Sequence, residues 1–324
     1  MTEKHVNING LACGVVFFAA TVGSEFEPSG IYEMHWLQAG ELYQMAVDNA
    51  LYIVATPIGN LDDISARALK VLTEVHCVAA EDTRHSARLL DHFGITTPLL
   101  SYHEHGGSEQ DEKIVALLRD GNAVALISDA GTPLISDPGF PLVNRVRELG
   151  IRIVSVPGPC ALVAALAASG LPCDRFCFEG FLPAKSQARK KVFEGLRREA
   201  RTLVFYEAPH RICDSLRDAL AVFGPERQMV LAREISKTFE TYLSGRGDEV
   251  LQRVEDDAMQ QKGEMVLMLR GWHVSGEAVI EADTENLLKL LLTELPVAKA
   301  AALCAKASGV DKRSLYNLAM SYKA

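Results

Sequence analysis

The chain has 324 residues, of which 48% are apolar and 23% charged, and its net charge is −9. That length holds about two domains or more, and the balance excludes disordered, collagenous and fibrous classes. No run reaches the roughly 18 apolar residues of a membrane span, and seven scattered cysteines form no disulfide framework, which suits a reducing cytoplasm.

Residues 1–50 set Lys4 against six acids and show no sustained periodicity. Within them 11–23 (LACGVVFFAATVG) has the form of a signal-peptide core. The preferred reading is a non-native or disordered extension ahead of a start at Met45, because the chemistry reached below needs a cytosolic cofactor. From residue 51 short apolar runs alternate with helical spacing. LYIVATPI, VHCVAAED, PLLSYHE, NAVALISDAG and IRIVSVPG read as five strands. Helices are expected at 64–75, 84–93, around Ile114–Leu118 and at 141–149. Such alternation predicts a parallel sheet with helices on both faces, so 51–170 is expected to be an α/β domain.

After an Ala-rich helix at 160–169 and the Gly170-Leu171-Pro172 break, a second α/β domain is expected over 171–273. Its strands read RFCFEGFLP, RTLVFYEAP, QMVLAREIS, TFETYLS and GEMVLMLRG, with helices at about 186–199, 211–222 and 248–256. Closely spaced late strands imply hairpins and a mixed sheet. The last unit, 282–324, is expected to be helical: Pro296 opens a helix, Gly309 ends it and Asp311 caps the next.

Gly, Pro and acidic residues cluster after the predicted parallel strands, at Thr56-Pro57-Ile58-Gly59-Asn60, Glu81-Asp82-Thr83-Arg84, Ser128-Asp129-Ala130-Gly131-Thr132-Pro133 and Val156-Pro157-Gly158-Pro159. One such turn is ordinary loop chemistry. Four on one sheet edge point to a ligand crevice, because ligands bind at the carboxyl ends of such strands. No GxGxxG follows a strand and no GxxxxGK[ST] exists, so the usual dinucleotide and P-loop classes are excluded. Cys173 and Cys177 lack a third nearby thiol and read as packing residues, and His103-Glu104-His105 reads as surface or substrate-contact residues rather than metal ligands. His210 stands near Glu207, where it either exchanges a proton or simply starts a helix.

A basic segment holds Lys185, Arg189, Lys190, Lys191, Arg197, Arg198 and Arg201 against Glu194 and Glu199. In a chain that is acidic overall it is either a solvated helix face or a contact to phosphates. Residues 296–324 carry five bases and one acid around two short helices that suggest a helix-turn-helix.

In this order and spacing, LYIVATPIGNLDDIS, AAEDTR, SDAGTPLISDPG, VPGPCA, DRFCFEGFLPAKS, FYEAPHR and KGEMV resemble the tetrapyrrole methylase family over about residues 51–271. The tail resembles the helix-turn-helix appended to some members, and 1–44 matches nothing in the family. The first loop holds only Gly59 where tetrapyrrole-modifying members are glycine-rich, which favours an RNA-modifying branch. The resemblance implies a homodimeric two-domain enzyme that binds S-adenosyl-L-methionine in a cleft between domains. It also implies methylation of a cytidine ribose 2′-hydroxyl in small-subunit ribosomal RNA, naked or in the assembled small subunit, with no metal.

Carried over by motif, the cofactor residues are Pro57, Gly59, Asp129, Gly131, Thr132, Pro133, Pro157 and Gly158, with Gly263 and Glu264 from the second domain. Catalytic candidates at the sheet edge are Glu81, Asp82, Arg84 and His210. Lys185, Arg189, Lys190 and Lys191 are expected to hold RNA. Two other readings stay open: a methylase of a tetrapyrrole or other small substrate, and a non-enzymatic nucleic-acid binder using the C-terminal helices.

Overall fold

The computed structural model describes residues 47–103, 107–272 and 282–322. The expected N-terminal extension, apart from its last four residues, lies outside the described residues, as do Glu104 and His105. The first half runs β1 (Leu51–Val54), α1 (Ala66–Glu74), β2 (Cys77–Ala80), α2 (Thr83–His92), β3 (Leu99–Ser101), α3 (Gly107–Arg119), β4 (Val124–Ile127), α4 (Phe140–Glu148), β5 (Ile153–Val156) and α5 (Ala161–Ala168). Its strands form one sheet in the order β3-β2-β4-β1-β5, parallel throughout.

The short apolar strands are explained by burial on both faces. CVAA and VALI of β2 and β4 are buried at every position. Alternate residues of β1 feed two different cores: Tyr52 and Val54 pack with Leu72 and Val78, while Leu51 packs with Leu118, Leu126 and Leu142.

The second half runs β6 (Phe176–Phe181), α6 (Ser186–Gly195), β7 (Thr202–Glu207), α7 (Ile212–Phe223), β8 (Gln228–Arg233), β9 (Thr241–Arg246), α8 (Gly247–Asp256) and β10 (Met265–Leu269). Its sheet has the order β6-β7-β10-β8-β9, with β6 parallel to β7 and the other pairs antiparallel, as the close spacing of the late strands predicts. One face packs Phe205, Leu231 and Leu267 against Phe193 of α6, Leu216 of α7 and Val250 of α8. The other packs Val204, Val230, Val266 and Met268 against Leu162, Ala165 and Leu166 of α5 and against Ile58. The two sheets therefore share a core through α5, within one contact unit that begins at Val47.

One expected boundary is corrected. The helix anticipated over 186–199 stops at Gly195, where Leu196 N–H turns back to the Phe193 carbonyl at 3.0 Å. Arg197, Arg198 and Arg201 thus lie beyond the helix rather than on its face.

Three further helices follow: α9 (Ala282–Glu294), α10 (Val297–Ser308) and α11 (Lys312–Ser321). Their ends are written in the sequence. Pro296 precedes α10, Gly309 closes it in the left-handed conformation at φ 72°, and the Asp311 carboxylate accepts the Ser314 N–H at 3.0 Å. Leu288, Ala300, Ala301, Cys304, Leu315 and Ala319 make their core. Among the described residues, no helix is long and apolar enough to cross a membrane.

Candidate active site

A cleft of about 350 Å³ opens where the two sheets meet. The first half contributes Ile58, the loop after β4 (Ala130, Gly131, Thr132, Ile135, Ser136, Asp137), and Cys160 and Ala161 at the start of α5. The second half contributes Phe181, Tyr206 to Pro209, Ile235 and Glu264 to Val266.

The loop after β4 is held from several sides. Thr56 N–H donates to the Gly131 carbonyl at 2.8 Å, and Gly131 N–H returns to Thr56 O at 3.0 Å. Thr56 Oγ1 reaches the Ser128 carbonyl, and Thr132 Oγ1 donates to Pro159 O at 2.9 Å. Gly131 sits at φ 83°, a region that disfavours any side chain. Leu134 and Ser136 also adopt left-handed backbone, at φ 72° and 67°. For non-glycine residues such backbone costs energy and concentrates at functional loops.

From the second half, Tyr206 crosses to the first: its Oη accepts the Leu162 N–H of α5 at 3.1 Å. Burial pushes its phenol up to about 12. The loop after β8 makes a second tie. Glu234 and Ser236 take left-handed backbone at φ 52° and 67°. Glu234 Oε1 accepts the Glu264 N–H at 2.9 Å, and Ser236 Oγ bonds Asp63 of the first half.

The wall has a definite electrostatic character: among the described residues, no lysine or arginine lines it. Its acids are Asp137, Glu207 and Glu264. Glu207 is committed elsewhere. Fully buried, it accepts from Arg211 Nε at 2.9 Å and Nη2 at 2.7 Å, from Ala208 N–H at 2.7 Å and from Ser215 Oγ. Glu264 pairs with Lys237 Nζ at 3.2 Å. Asp137 is different. Burial pushes its carboxyl up to about 6, against a lowering hydrogen bond from Ser128, and the charges of Glu81 and Asp129 push the same way as burial. Apolar walls, carboxylates and no cationic side chain suit a ligand of nucleoside size that carries positive charge, and disfavour a polyphosphate.

The expected site residues divide. Gly131, Thr132 and Glu264 line the cleft, and Pro133 is buried beside them. Pro57, Asp129, Pro157, Gly158 and Gly263 form no part of this wall. Gly59, Gly158 and Gly263 are accounted for by close packing instead. A side chain on Gly59 would collide with Lys237, one on Gly158 would lie 2.9 Å from Ala55 Cβ, and one on Gly263 would collide with Glu234.

None of Glu81, Asp82, Arg84 and His210 forms part of the wall either. Asp82 caps α2, accepting from Arg84 N–H at 2.8 Å and His85 N–H at 3.2 Å. Those backbone bonds, that to His85 foremost, hold its carboxyl below the usual range and make it a poor base. Its own N–H donates to Asp129 Oδ1 at 3.1 Å. Arg84 lies 3.8 Å from Asp82 with its side chain almost wholly exposed, and His210 is exposed. His103 Nε2 lies 2.6 Å from Ser101 Oγ.

Arg189 is a correction. It is only 2% exposed, with Nη2 2.6 Å and Nε 2.8 Å from Asp218 Oδ2 and Nη1 on the Pro183 carbonyl. A residue sealed against α7 cannot grip a phosphate. Lys190 shares Asp218 at 3.3 Å, while Lys185 and Lys191 are exposed.

Sequence reading missed Asp137, Phe181 and Tyr206 as site residues. For Asp137 a signal existed: SDAGTPLISDPG holds a second aspartate eight positions after Asp129. Phe181 and Tyr206 sit in runs that read as strand and core.

Comparison with known proteins agrees with this architecture. The family profile for tetrapyrrole (corrin/porphyrin) methylases matches residues 50–251, and that for the RsmI C-terminal HTH domain matches 278–323. The ribosomal RNA small subunit methyltransferase I of Pseudomonas aeruginosa is 58% identical over 83% of this chain and 96% of its own. Its namesake from Escherichia coli O157:H7 is 53% identical over 83% and 94%. Among solved structures, diphthine synthase aligns with TM-score 0.54 at 15% identity, covering 68% of this chain and 89% of that one. The methyltransferase CobJ aligns with TM-score 0.52 at 16% identity, covering 68% and 94%. At such identities the two structures speak for the fold alone.

Proposed function

Because the chain belongs to the tetrapyrrole methylase family, and groups there with relatives named ribosomal RNA small subunit methyltransferase I, we propose that it methylates small-subunit ribosomal RNA from S-adenosylmethionine. The finer proposal is transfer to the ribose 2′-hydroxyl of a cytidine, by a cytoplasmic homodimer. The observation that carries the cofactor reading is the largely apolar cleft lined by Gly131 and Thr132, with the Asp137 carboxylate on its wall and, among the described residues, no lysine or arginine lining it.

When bound, S-adenosylmethionine supplies a methyl group already activated by its positive sulfur. The chain's own task is therefore mostly positioning. Backbone around Gly131, zipped to Thr56, would hold the cofactor, with carboxylate charge from Asp137 favouring its cationic end. A ribose hydroxyl is a weak nucleophile at neutral pH, and a base near it in pKa terms speeds attack. Asp137 is our proton acceptor: it lines the cleft, and its carboxyl near 6 is ionised at pH 7 yet more basic than an ordinary aspartate. Its Oδ would take the proton of the ribose hydroxyl, freeing the oxygen to accept the methyl group as the donor's sulfur–methyl bond breaks. Glu81 enters through its charge on Asp137, while Asp82 organises the start of α2. Lys185, exposed just before α6, Lys191, exposed in its middle, and Arg197 beyond its end are the proposed contacts to the RNA backbone.

Two measurements test the reading. Calorimetry should show binding of S-adenosylmethionine and none of ATP, whose phosphates the acidic wall repels. Tritiated methyl transfer should label assembled small subunits or their naked RNA. Transfer to a tetrapyrrole with none to RNA would overturn it.

A further inference from the structure

Phe181 is 58% exposed, and of the large exposed apolar residues among those described it alone belongs to the cleft wall. Its placement is built, not incidental. The pairing of β6 with β7 runs in register from Phe176 to Phe178 and then slips before Phe181. Gly180, at φ 68°, provides the slip, and this kind of irregularity re-aims the side chain that follows. The backbone there packs against the first half in ordinary contact: a side chain on Gly180 would lie 3.6 Å from Ser136 Oγ.

The ring is also braced. Its centroid lies 5.4 Å from that of Tyr206 in an edge arrangement at 63°, and Tyr206 packs on Phe178 at 4.8 Å and 67°. Tyr206 is itself fixed to α5 through Leu162 N–H. A phenyl ring held by its neighbours at a cleft mouth, with more than half its surface in water, is a preorganised stacking face.

We propose that Phe181 is the platform on which the target nucleobase stacks while its ribose enters the cleft. This rests on the proposed RNA reaction. An enzyme acting on a ribose inside folded RNA must hold an unstacked nucleotide, and aromatic faces are the usual support for such a base. Glu179 and Lys185, two and four residues from Phe181 in sequence, are both exposed, which disfavours a second copy of the chain as its cover.

The test compares Phe181→Ala and Phe181→Trp in the full chain. With small subunits lacking the methyl group as substrate, Phe181→Ala should raise KM for RNA about tenfold to a hundredfold, with kcat changed far less. Phe181→Trp should restore KM, because it keeps a stacking face. A short single-stranded RNA carrying pyrrolocytidine should lose fluorescence on binding the wild type and much less on binding Phe181→Ala. An unchanged KM and quench in Phe181→Ala overturns the platform. So does a Trp variant as impaired as the Ala variant, or a change of mass by light scattering, which would assign the ring to a subunit interface. If the wild type quenches the probe but never methylates RNA, the reaction fails and the platform stands. If it methylates RNA and the quench is independent of residue 181, the reverse holds.

Discussion

The two sheets serve the cleft in different currencies. The parallel sheet delivers it mainly through backbone: the loop after β4, zipped to Thr56, with Gly131, Leu134 and Ser136 in left-handed conformations. The mixed sheet delivers it mainly through side chains standing on strands, Phe181, Tyr206 and Met265, with the Glu234–Glu264 link behind them. A loop site is marked in sequence by the residues that loops need. A strand site uses the same aromatic and aliphatic residues as a core, and only the surface they face separates the two.

Asp137 joins the contrast as the side chain that the backbone-built half contributes to chemistry. Asp137→Asn should lower kcat by about 10²- to 10⁴-fold, the usual range for a general base, and weaken cofactor binding much less, through the lost carboxylate charge alone. The wild-type rate should rise with pH through about 6 and then level, because the ionised carboxylate is the active form. The Asn variant should lose that inflection. Stability gives an independent readout. The folded-state pKa is raised, so the wild type carries a penalty for ionised Asp137 that is absent below the unfolded pKa, grows up to about 6 and is constant above. The Asn variant should therefore melt higher than wild type at pH 8, with a gain that shrinks towards pH 4.

The basic segment sharpens the contrast between structural and functional charge. Arg189→Ala leaves Asp218 buried and deprived of its main partner, so it should destabilise the fold by about 3–5 kcal/mol in denaturant melts. A loss of RNA binding with no loss of stability would contradict the buried assignment. Gly131→Val places a β-branched residue at φ 83°, and the strain should weaken S-adenosylmethionine binding about tenfold to a hundredfold by calorimetry while the fold persists. Smallest is the double change Lys185→Glu with Lys191→Glu. Melting temperature should hold, and the slope of log affinity for RNA against log salt should fall by about two, near one per lost phosphate contact.

Legibility in the sequence followed the same division. The strand runs, the helix stop at Gly309 and the Asp311 cap could be read because each is a local rule: burial on both faces, left-handed backbone, an orphan N–H needing an acceptor. Gly131 was found for the same reason. Arg189 was misplaced because a charge run does not reveal that one member meets Asp218, 29 positions on, from a neighbouring helix. Glycines 59, 158 and 263 were visible as special, but their partners, Lys237, Ala55 and Glu234, are set by tertiary packing. Asp82 and Asp137 look alike as letters. Backbone donors at the start of α2 make one a cap, and burial with the charges of Glu81 and Asp129 raises the carboxyl of the other.

The most direct test of the central claim is the chemical identity of the product. Small subunits lacking the modification are incubated with the protein and S-adenosylmethionine tritiated in its methyl group, and the RNA is digested to nucleosides. The account predicts label in 2′-O-methylcytidine, reduced by Gly131→Val at limiting S-adenosylmethionine and reduced still further by Asp137→Asn. Label in a base-methylated nucleoside, or no label in RNA at all, would contradict it.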